Sequence, residues 1–411
     1  MQPELEFDRP VIIAIGFSRA QSLSRLLRSL NQAEYPHEVD LIISLDGEAA
    51  TDVIAVAREF EFEHGRHLVR IQPQRLGLRN HILWAGDQSQ EHGSVIVLED
   101  DIVVDRHFYR YGVSAVHAYS NESRVAGIAL YSPRRNEFAN LPFIPLENSL
   151  SSYFMQIPCS WGQLWTQSQW SRFRSWYDRF LESGRIEDVD LPDQVKEWSA
   201  VSWKRYFAAY LVLEDKYFLY PYRSYTTNCS DSGGTHIGAE TSIHQVPLAD
   251  QSRSFEKVLH GDFTESSVTY DAFMEPGVTR IAGMLEVDAN SLEVDIYGIK
   301  PQSLLSKKKY VLTTKACDEY DWAAYLALRP VEIAIEYASK IRFGDETGES
   351  TAPLLCFAPS GKVIANKRQY LRLAEYYSDQ EFYKRGFLFS LFLGAGSRLF
   401  DAIKRLIRPS P

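Results

Sequence analysis

Cysteine is scarce: the four at positions 159, 229, 317 and 356 stand too far apart for a zinc-binding spacing or a disulfide framework. Reduced thiols in a cytoplasmic protein are the expectation. Positive charge is also short, with 44 Lys and Arg against 54 Asp and Glu and no basic stripe in the body of the chain. That balance argues against nucleic acid as a partner. No apolar run reaches the roughly 20 residues that a bilayer-spanning helix needs. The acidic opening Met1-Gln2-Pro3-Glu4-Leu5-Glu6 lacks an apolar export core. No internal repeat or low-complexity linker interrupts the chain. After the first apolar run, Gly16-Phe17-Ser18-Arg19-Ala20 holds a single glycine, so a glycine-rich phosphate loop is absent there.

What is present begins with 411 residues at 45% hydrophobic content, enough for a large core and a smaller appendage. The most informative stretch is Ser94-Val95-Ile96-Val97-Leu98-Glu99-Asp100-Asp101-Ile102-Val103-Val104-Asp105. Its first five residues suit a strand buried on both faces, which places three consecutive carboxylates at the C-terminal edge of a sheet. Carboxylates crowded together repel, and a hard divalent cation with oxygen ligands relieves them. Asp105 is expected to cap the following helix. Residues 10–17 form a second buried strand, followed by Ser18 as helix cap and by Leu23, Leu26, Leu27 and Leu30 on one helical face. Val39-Asp40-Leu41-Ile42-Ile43-Ser44-Leu45 is a third strand ending in Asp46-Gly47, then comes a helix with Val53, Ile54, Val56 and Ala57. The strand His67-Leu68-Val69-Arg70-Ile71, the segment Arg75-Leu76-Gly77-Leu78-Arg79-Asn80 and a short helix through Trp84 follow. Strands alternating with helices predict an α/β fold with a mainly parallel sheet covered on both faces.

Over residues 10–180, and more loosely to 240, these pieces resemble nucleotide-sugar glycosyltransferases of the GT-A (Rossmann-like) fold, bacterial family 2 enzymes and the N-acetylglucosaminyltransferase I type. The carriers are the strand and helix of residues 11–30, Ile42-Ile43-Ser44-Leu45-Asp46-Gly47, Arg75-Leu76-Gly77-Leu78 and Leu98-Glu99-Asp100-Asp101. Ser160-Trp161-Gly162-Gln163-Leu164-Trp165 resembles the aromatic acceptor-side loop and helix of such enzymes. The resemblance implies a Mn²⁺- or Mg²⁺-dependent transfer of sugar from a nucleotide-sugar donor to a saccharide hydroxyl, in surface polysaccharide assembly.

Roles follow from that resemblance. Asp46 would bind the donor base, Arg75 or Arg79 the diphosphate, and Glu99 and Asp100 the donor sugar and ribose. Asp101 would hold the metal, with His236 as a further ligand. Alternation along an extended segment would turn Asp100 and Asp101 to different groups. Trp161 and Gly162 would form the acceptor surface. An inverting enzyme also needs a base, and related proteins carry an Asp just after a Trp in the acceptor-side helix. The matching segment here is Ser202-Trp203-Lys204-Arg205-Tyr206. With lysine in that place, the candidates become Asp231 and Glu197. A missing base leaves open a catalytically inactive sugar-binding or scaffold protein, and the shared sheet and acids leave open a sugar nucleotidyltransferase, which the single glycine above disfavours.

The domain reading assigns residues 1–250 to the catalytic domain and 251–385 to a mixed accessory region. There 265–300 is expected as turns and short strands and 319–341 as helix. Residues 386–411 form a basic amphipathic helix: Leu399, Phe400, Ile403, Leu406 and Ile407 on one face, Arg398, Lys404, Arg405 and Arg408 on the other. Such a helix suits peripheral contact with the inner face of the cell membrane and a lipid-linked acceptor.

Overall fold

A computed structural model of the chain describes residues 9–231, 241–249, 252–337, 339–345, 353–364, 373–374 and 376–377. The predicted β-α alternation is realised from the first strand. β1 (Val11–Gly16) leads into α1 (Ala20–Asn31), β2 (Leu41–Leu45) into α2 (Thr51–Glu59), and β3 (His67–Ile71) into α3 (Gly77–Asp87) and α4 (Ser89–His92). Every residue of β1 and β2 is buried, as continuous apolar runs require in a sheet covered on both faces. α1 buries Leu23, Leu26, Leu27 and Leu30, the stripe expected at helical spacing. Its N-cap is Arg19 rather than Ser18, and no side chain caps it. β4 (Ser94–Glu99) is followed by a two-residue turn and β5 (Ile102–Val104), then by α5 (Phe108–Tyr119). The N-cap of α5 is His107 rather than Asp105, which lies two residues earlier and whose Oδ1 accepts from His107 N at 2.8 Å.

The remaining strands of this unit are β6 (Val125–Ala129), β7 (Arg135–Asn136), β8 (Leu141–Pro142), β9 (Ser152–Met155), β10 (Gln163–Thr166), β11 (Tyr217–Pro221), β12 (Thr226–Asn228) and β13 (Thr269–Tyr270). Among them lie α6 (Gln167–Ser183), α7 (Asp193–Glu197) and α8 (Trp203–Leu213), with α9 (Val278–Leu285) after β13. Gln163-Leu164-Trp165, expected in an aromatic loop and helix, is thus a strand, antiparallel to both β4 and β6. Trp165 and Trp170 are fully enclosed, and burying side chains of that kind stabilises by roughly 2–3 kcal/mol each.

From edge to edge the main sheet runs β13-β9-β11-β6-β10-β4-β1-β2-β3. β1 lies between β2 and β4, parallel to both, and β3 is parallel to β2. The chain therefore steps outward from β1 to β3 and then crosses back to lay β4 on the other side of β1. Open α/β sheets bind ligands at such a reversal, outside the carboxyl ends of the strands. Gly16, Asp46 and Glu99 all stand at those ends.

The chain divides at Asn290/Ser291 into two compact units, rather than at 250. Residues 269–270 belong to the first because β13 pairs with β9 of the main sheet. The second unit holds β14 (Leu292–Asp295), α10 (Gln302–Leu305), β15 (Tyr310–Thr313), β16 (Trp322–Tyr325), α11 (Val331–Tyr337) and β17 (Leu354–Pro359) in a four-stranded sheet of order β14-β15-β17-β16. The helix expected over 319–341 is confined to α11, because residues 322–325 pair with β17 and Pro330 cannot sit inside a helix. Residues 386–411 lie outside the described residues. Among those described, no helix is long and apolar enough to cross a membrane.

Candidate active site

The reversal between β1 and β4 opens into two clefts that share Arg19, Leu78 and Glu99. The first, a cavity of about 180 Å³, is lined by Gly16, Phe17, Asp46, Arg75, Gly77, His81 and Asp100, among others. Asp46 is buried, and its carboxylate fastens the loop opposite. Oδ1 accepts from Gly47 N at 2.8 Å and Leu76 N at 2.7 Å, and Oδ2 accepts from Gly77 N at 3.0 Å. Gly47 makes that approach feasible: a Cβ there would lie 2.1 Å from the Gln74 carbonyl carbon. The loop so held places the Arg75 guanidinium 4.7 Å from the centre of the Phe17 ring. Beneath, His81 Nε2 lies 2.7 Å from Ser44 Oγ, which also accepts from Gln72 Nε2 at 3.0 Å. Burial pulls His81 down to about 4 despite the neighbouring Asp46, so the ring is neutral near pH 7.

The three acids meet where the clefts join. Glu99 ends β4, while Asp100 and Asp101 form the turn after it. Because the backbone turns there, side-chain alternation fails and both aspartates meet one guanidinium. Arg19 Nε donates to Asp100 Oδ2 at 3.3 Å, Nη2 donates to Asp100 Oδ1, and Nη1 and Nη2 each donate to Asp101 Oδ2 at 3.3 Å. Burial raises Asp100 to about 6 even though Arg19 works the other way. Glu99 is pushed well above the usual carboxylate range, first by burial and then by Asp101 and Asp100.

The chemistry of the two aspartates suits a divalent cation: carboxylates are hard oxygen ligands, and Asp101 Oδ1 is buried with no hydrogen-bond partner. Among the described residues no three Asp, Glu, His or Cys side chains are gathered as a finished coordination set. Arg19 occupies three of the four aspartate oxygens, which leaves that single one free.

The second cleft, about 320 Å³, is lined by Asp101, Glu137, Ser160, Trp161, Trp198, Ser202, Trp203, Lys204, Asn228 and His244 beside the shared residues. Lys204 Nζ donates to Glu137 Oε1 at 3.1 Å and stands 5.4 Å and 5.1 Å from the ring centres of Trp161 and Trp198. The His244 ring lies 4.6 Å from that of Trp161, and burial lowers its pKa. Trp161 is set by the next residue. Gly162 has φ +97°, a Cβ on it would come within 2.8 Å of Thr226, and Thr226 Oγ1 donates to the Trp161 carbonyl at 2.6 Å.

The sequence-derived candidates are thus partly assembled. Asp46, Arg75, Glu99 and Asp100 line the first cleft, and Glu99, Asp101 and Trp161 the second. Gly162 supports Trp161 from behind, outside the lining of either. Arg79 is turned away, with Nη1 donating to the Ala200 carbonyl at 2.8 Å. Glu197 is exposed at the end of α7 and lines neither cleft. Asp231 also lies outside both linings: it accepts from Ser22 Oγ at 2.7 Å and from Arg25. Burial opposes its ionisation, but these bonds outweigh burial and leave its pKa lowered. His236 lies outside the described residues. Arg19, Glu137, Trp198 and His244 went unread because none belongs to a local pattern; only the lysine in Trp203-Lys204 was visible as an anomaly.

No protein-family model matches the sequence, and no curated protein sequence matches it. Among solved structures, the chain is similar to S. aureus TarS 1–349 in complex with UDP-GlcNAc, at 10% identity and a TM-score of 0.38, over 56% of this chain and 61% of that one. Mouse xyloside xylosyltransferase 1 is 12% identical with a TM-score of 0.36, covering 51% and 84%. The mannosyltransferase PcManGT from Pyrobaculum calidifontis, in complex with GDP-Man and Mn²⁺, is 13% identical with a TM-score of 0.32, covering 53% and 58%. The chain thus spans about 60% of the length of TarS 1–349. What the site can do is carried by the side chains themselves: an acid cluster at a strand reversal, between a backbone-clamped polar cleft and an aromatic one.

Proposed function

We propose that this protein is a divalent-metal-assisted glycosyltransferase that moves a sugar from a nucleoside diphosphate to a saccharide hydroxyl. The observation carrying the reading is the position of Glu99, Asp100 and Asp101 at the junction of two unlike clefts, where a bond between two substrates can be exchanged. In this reading the nucleotide lies in the first cleft, its base side toward Asp46 and His81 and its charge toward Arg75 and Arg19. The acceptor lies in the second, an apolar sugar face against Trp161.

Asp101 and Asp100 would hold the cation, which supplies electrostatic stabilisation of the departing diphosphate. The bond from the anomeric carbon to the diphosphate oxygen breaks, and one to the acceptor oxygen forms. The acceptor's hydroxyl proton passes to Glu137. Glu137 takes this role over Asp231 and Glu197 because it faces the aromatic cleft, whereas Asp231 is engaged with α1 and Glu197 is solvated. Lys204, standing where related proteins carry the base, orients that carboxylate instead. A single displacement of this kind inverts the anomeric centre.

The place of the reaction in surface polysaccharide assembly, with a lipid-linked acceptor at the inner membrane face, belongs to the same proposal and rests on the basic amphipathic pattern of residues 386–411. Anionic vesicles should sediment the full chain and not a chain truncated at 385. For the chemistry, UDP-, GDP- and dTDP-sugars are incubated with Mn²⁺ and oligosaccharide acceptors, and nucleoside diphosphate release is followed. Release that Asp101→Ala abolishes supports the reading; release indifferent to Asp101→Ala, or no binding of any donor, defeats it.

A further inference from the structure

Arg19 does what a metal ion would do, with a protein group. Its guanidinium spreads across Asp100 Oδ1, Asp100 Oδ2 and Asp101 Oδ2. These side chains are all well enclosed, with 18% of the arginine and 8% and 10% of the aspartates accessible. A guanidinium is a fixed fork of donors that cannot lose its proton, so it leaves these oxygens only by moving. A divalent cation seeks about six oxygens, and while Arg19 is in place Asp101 Oδ1 is the one unclaimed aspartate oxygen. Cation and guanidinium are like charges competing for the same ligands.

We infer that Arg19 is the resident counter-ion of the acid turn, and that a divalent cation displaces it only together with a nucleoside diphosphate, whose oxygens accept the released guanidinium. The inference rests on the proposed glycosyl transfer and adds the order in which that site is filled. Arg19 lines both clefts, so the side chain can leave the aspartates without leaving the site. It stands at the N-cap of the twelve-residue α1, whose first turn carries no acidic residue. The one carboxylate bonded to that turn from outside, Asp231, accepts from Ser22 Oγ and is already paired with Arg25. The consequence is a positioning residue that makes metal capture conditional on donor: without nucleotide the acids stay closed on Arg19.

The test is Mn²⁺ binding to the full chain, read by electron paramagnetic resonance of free Mn²⁺ with and without UDP or GDP, corrected for Mn²⁺ held by the nucleotide in solution. In wild type, Mn²⁺ alone should bind weakly and the better nucleotide should tighten it at least tenfold. By linkage, Mn²⁺ should tighten that nucleotide by the same factor in calorimetry. Arg19→Gln should bind Mn²⁺ alone at least tenfold tighter than wild type and lose most of the nucleotide effect. Arg19→Lys, which keeps the charge but cannot fork across two carboxylates, should shift the same way by a smaller factor, and it serves where Arg19→Gln does not fold. Equal affinity of wild type and both variants for Mn²⁺ alone, or an undiminished nucleotide effect in Arg19→Gln, overturns the inference and leaves the glycosyltransferase reading standing. No Mn²⁺ bound by any of them, with or without nucleotide, overturns both.

Discussion

The two clefts that meet at Glu99 are made of different materials. In the first cleft the walls are strand ends and loop backbone: Asp46 accepts three backbone N–H bonds, Gly47 permits their approach, and neutral His81 rests on Ser44. In the second cleft the walls are rings and one ion pair, with Trp161, Trp198 and His244 around Lys204 and Glu137. Hydrogen-bonding groups held by backbone tolerate little variation in what they bind, whereas aromatic faces offer apolar area that accepts many sugars. Under the proposed function, the first cleft would thus be built for one class of ligand, while the second would be open to respecification by a few side chains.

Substitutions test this contrast if each damages one side alone. The largest effect is expected at the junction, where both sides depend on the same group: Asp101→Ala should lower turnover by about 10³-fold or more with an unchanged far-ultraviolet circular dichroism spectrum. Next, Glu137→Gln should lower kcat by about 10²–10⁴-fold while the calorimetric Kd for donor stays within a factor of two. An equal loss of donor binding would place Glu137 on the nucleotide side and break the contrast. Trp161→Ala should raise the acceptor KM roughly tenfold and leave donor Kd untouched. Arg75→Ala should do the reverse, weakening donor by about threefold to tenfold through loss of its charge and its contact with Phe17, with acceptor KM constant.

The smallest effect concerns pH. His81 has its folded-state pKa depressed to about 4, below the ordinary 6.5. The stability that it contributes is therefore present above pH 6.5 and lost as the pH falls through 4. The Tm difference between wild type and His81→Gln should shrink steadily over that window in differential scanning calorimetry. A difference independent of pH would mean that folding leaves the imidazole pKa unchanged and that the ring is not desolvated beneath the first cleft.

How much of this was legible beforehand varies with the range of the interaction. β1, β2 and β4 announced themselves as apolar runs and α1 as a leucine stripe, because burial on a fixed face imposes a period on neighbouring residues. Glu99-Asp100-Asp101 was legible for the same reason: where a buried run stops, a strand end follows, and acids there stand at the sheet edge. Glu137 and Arg19 carried no such mark. Glu137 lies 67 residues from Lys204 in sequence, Arg19 lies 81 from Asp100, and neither pairing leaves a trace in the residues beside it. The strand Gln163–Thr166 was misread because an aromatic run suits several local structures, and pairing with β4 and β6 settled the matter. The division at Asn290 was hidden likewise, since a two-residue strand is too short to produce a period.

By itself the sequence determined the α/β alternation, the strand whose end carries the acids, and the shortage of positive charge, because each depends on composition or on neighbours a few positions apart. Only the tertiary structure decided that one guanidinium closes on two aspartates, that Lys204 draws its carboxylate from a distant loop, and that Arg79 and Glu197 face away. Those outcomes are set by which surfaces the sheet brings together, and the Coulomb and packing energies that select them act through space, without regard to distance along the chain.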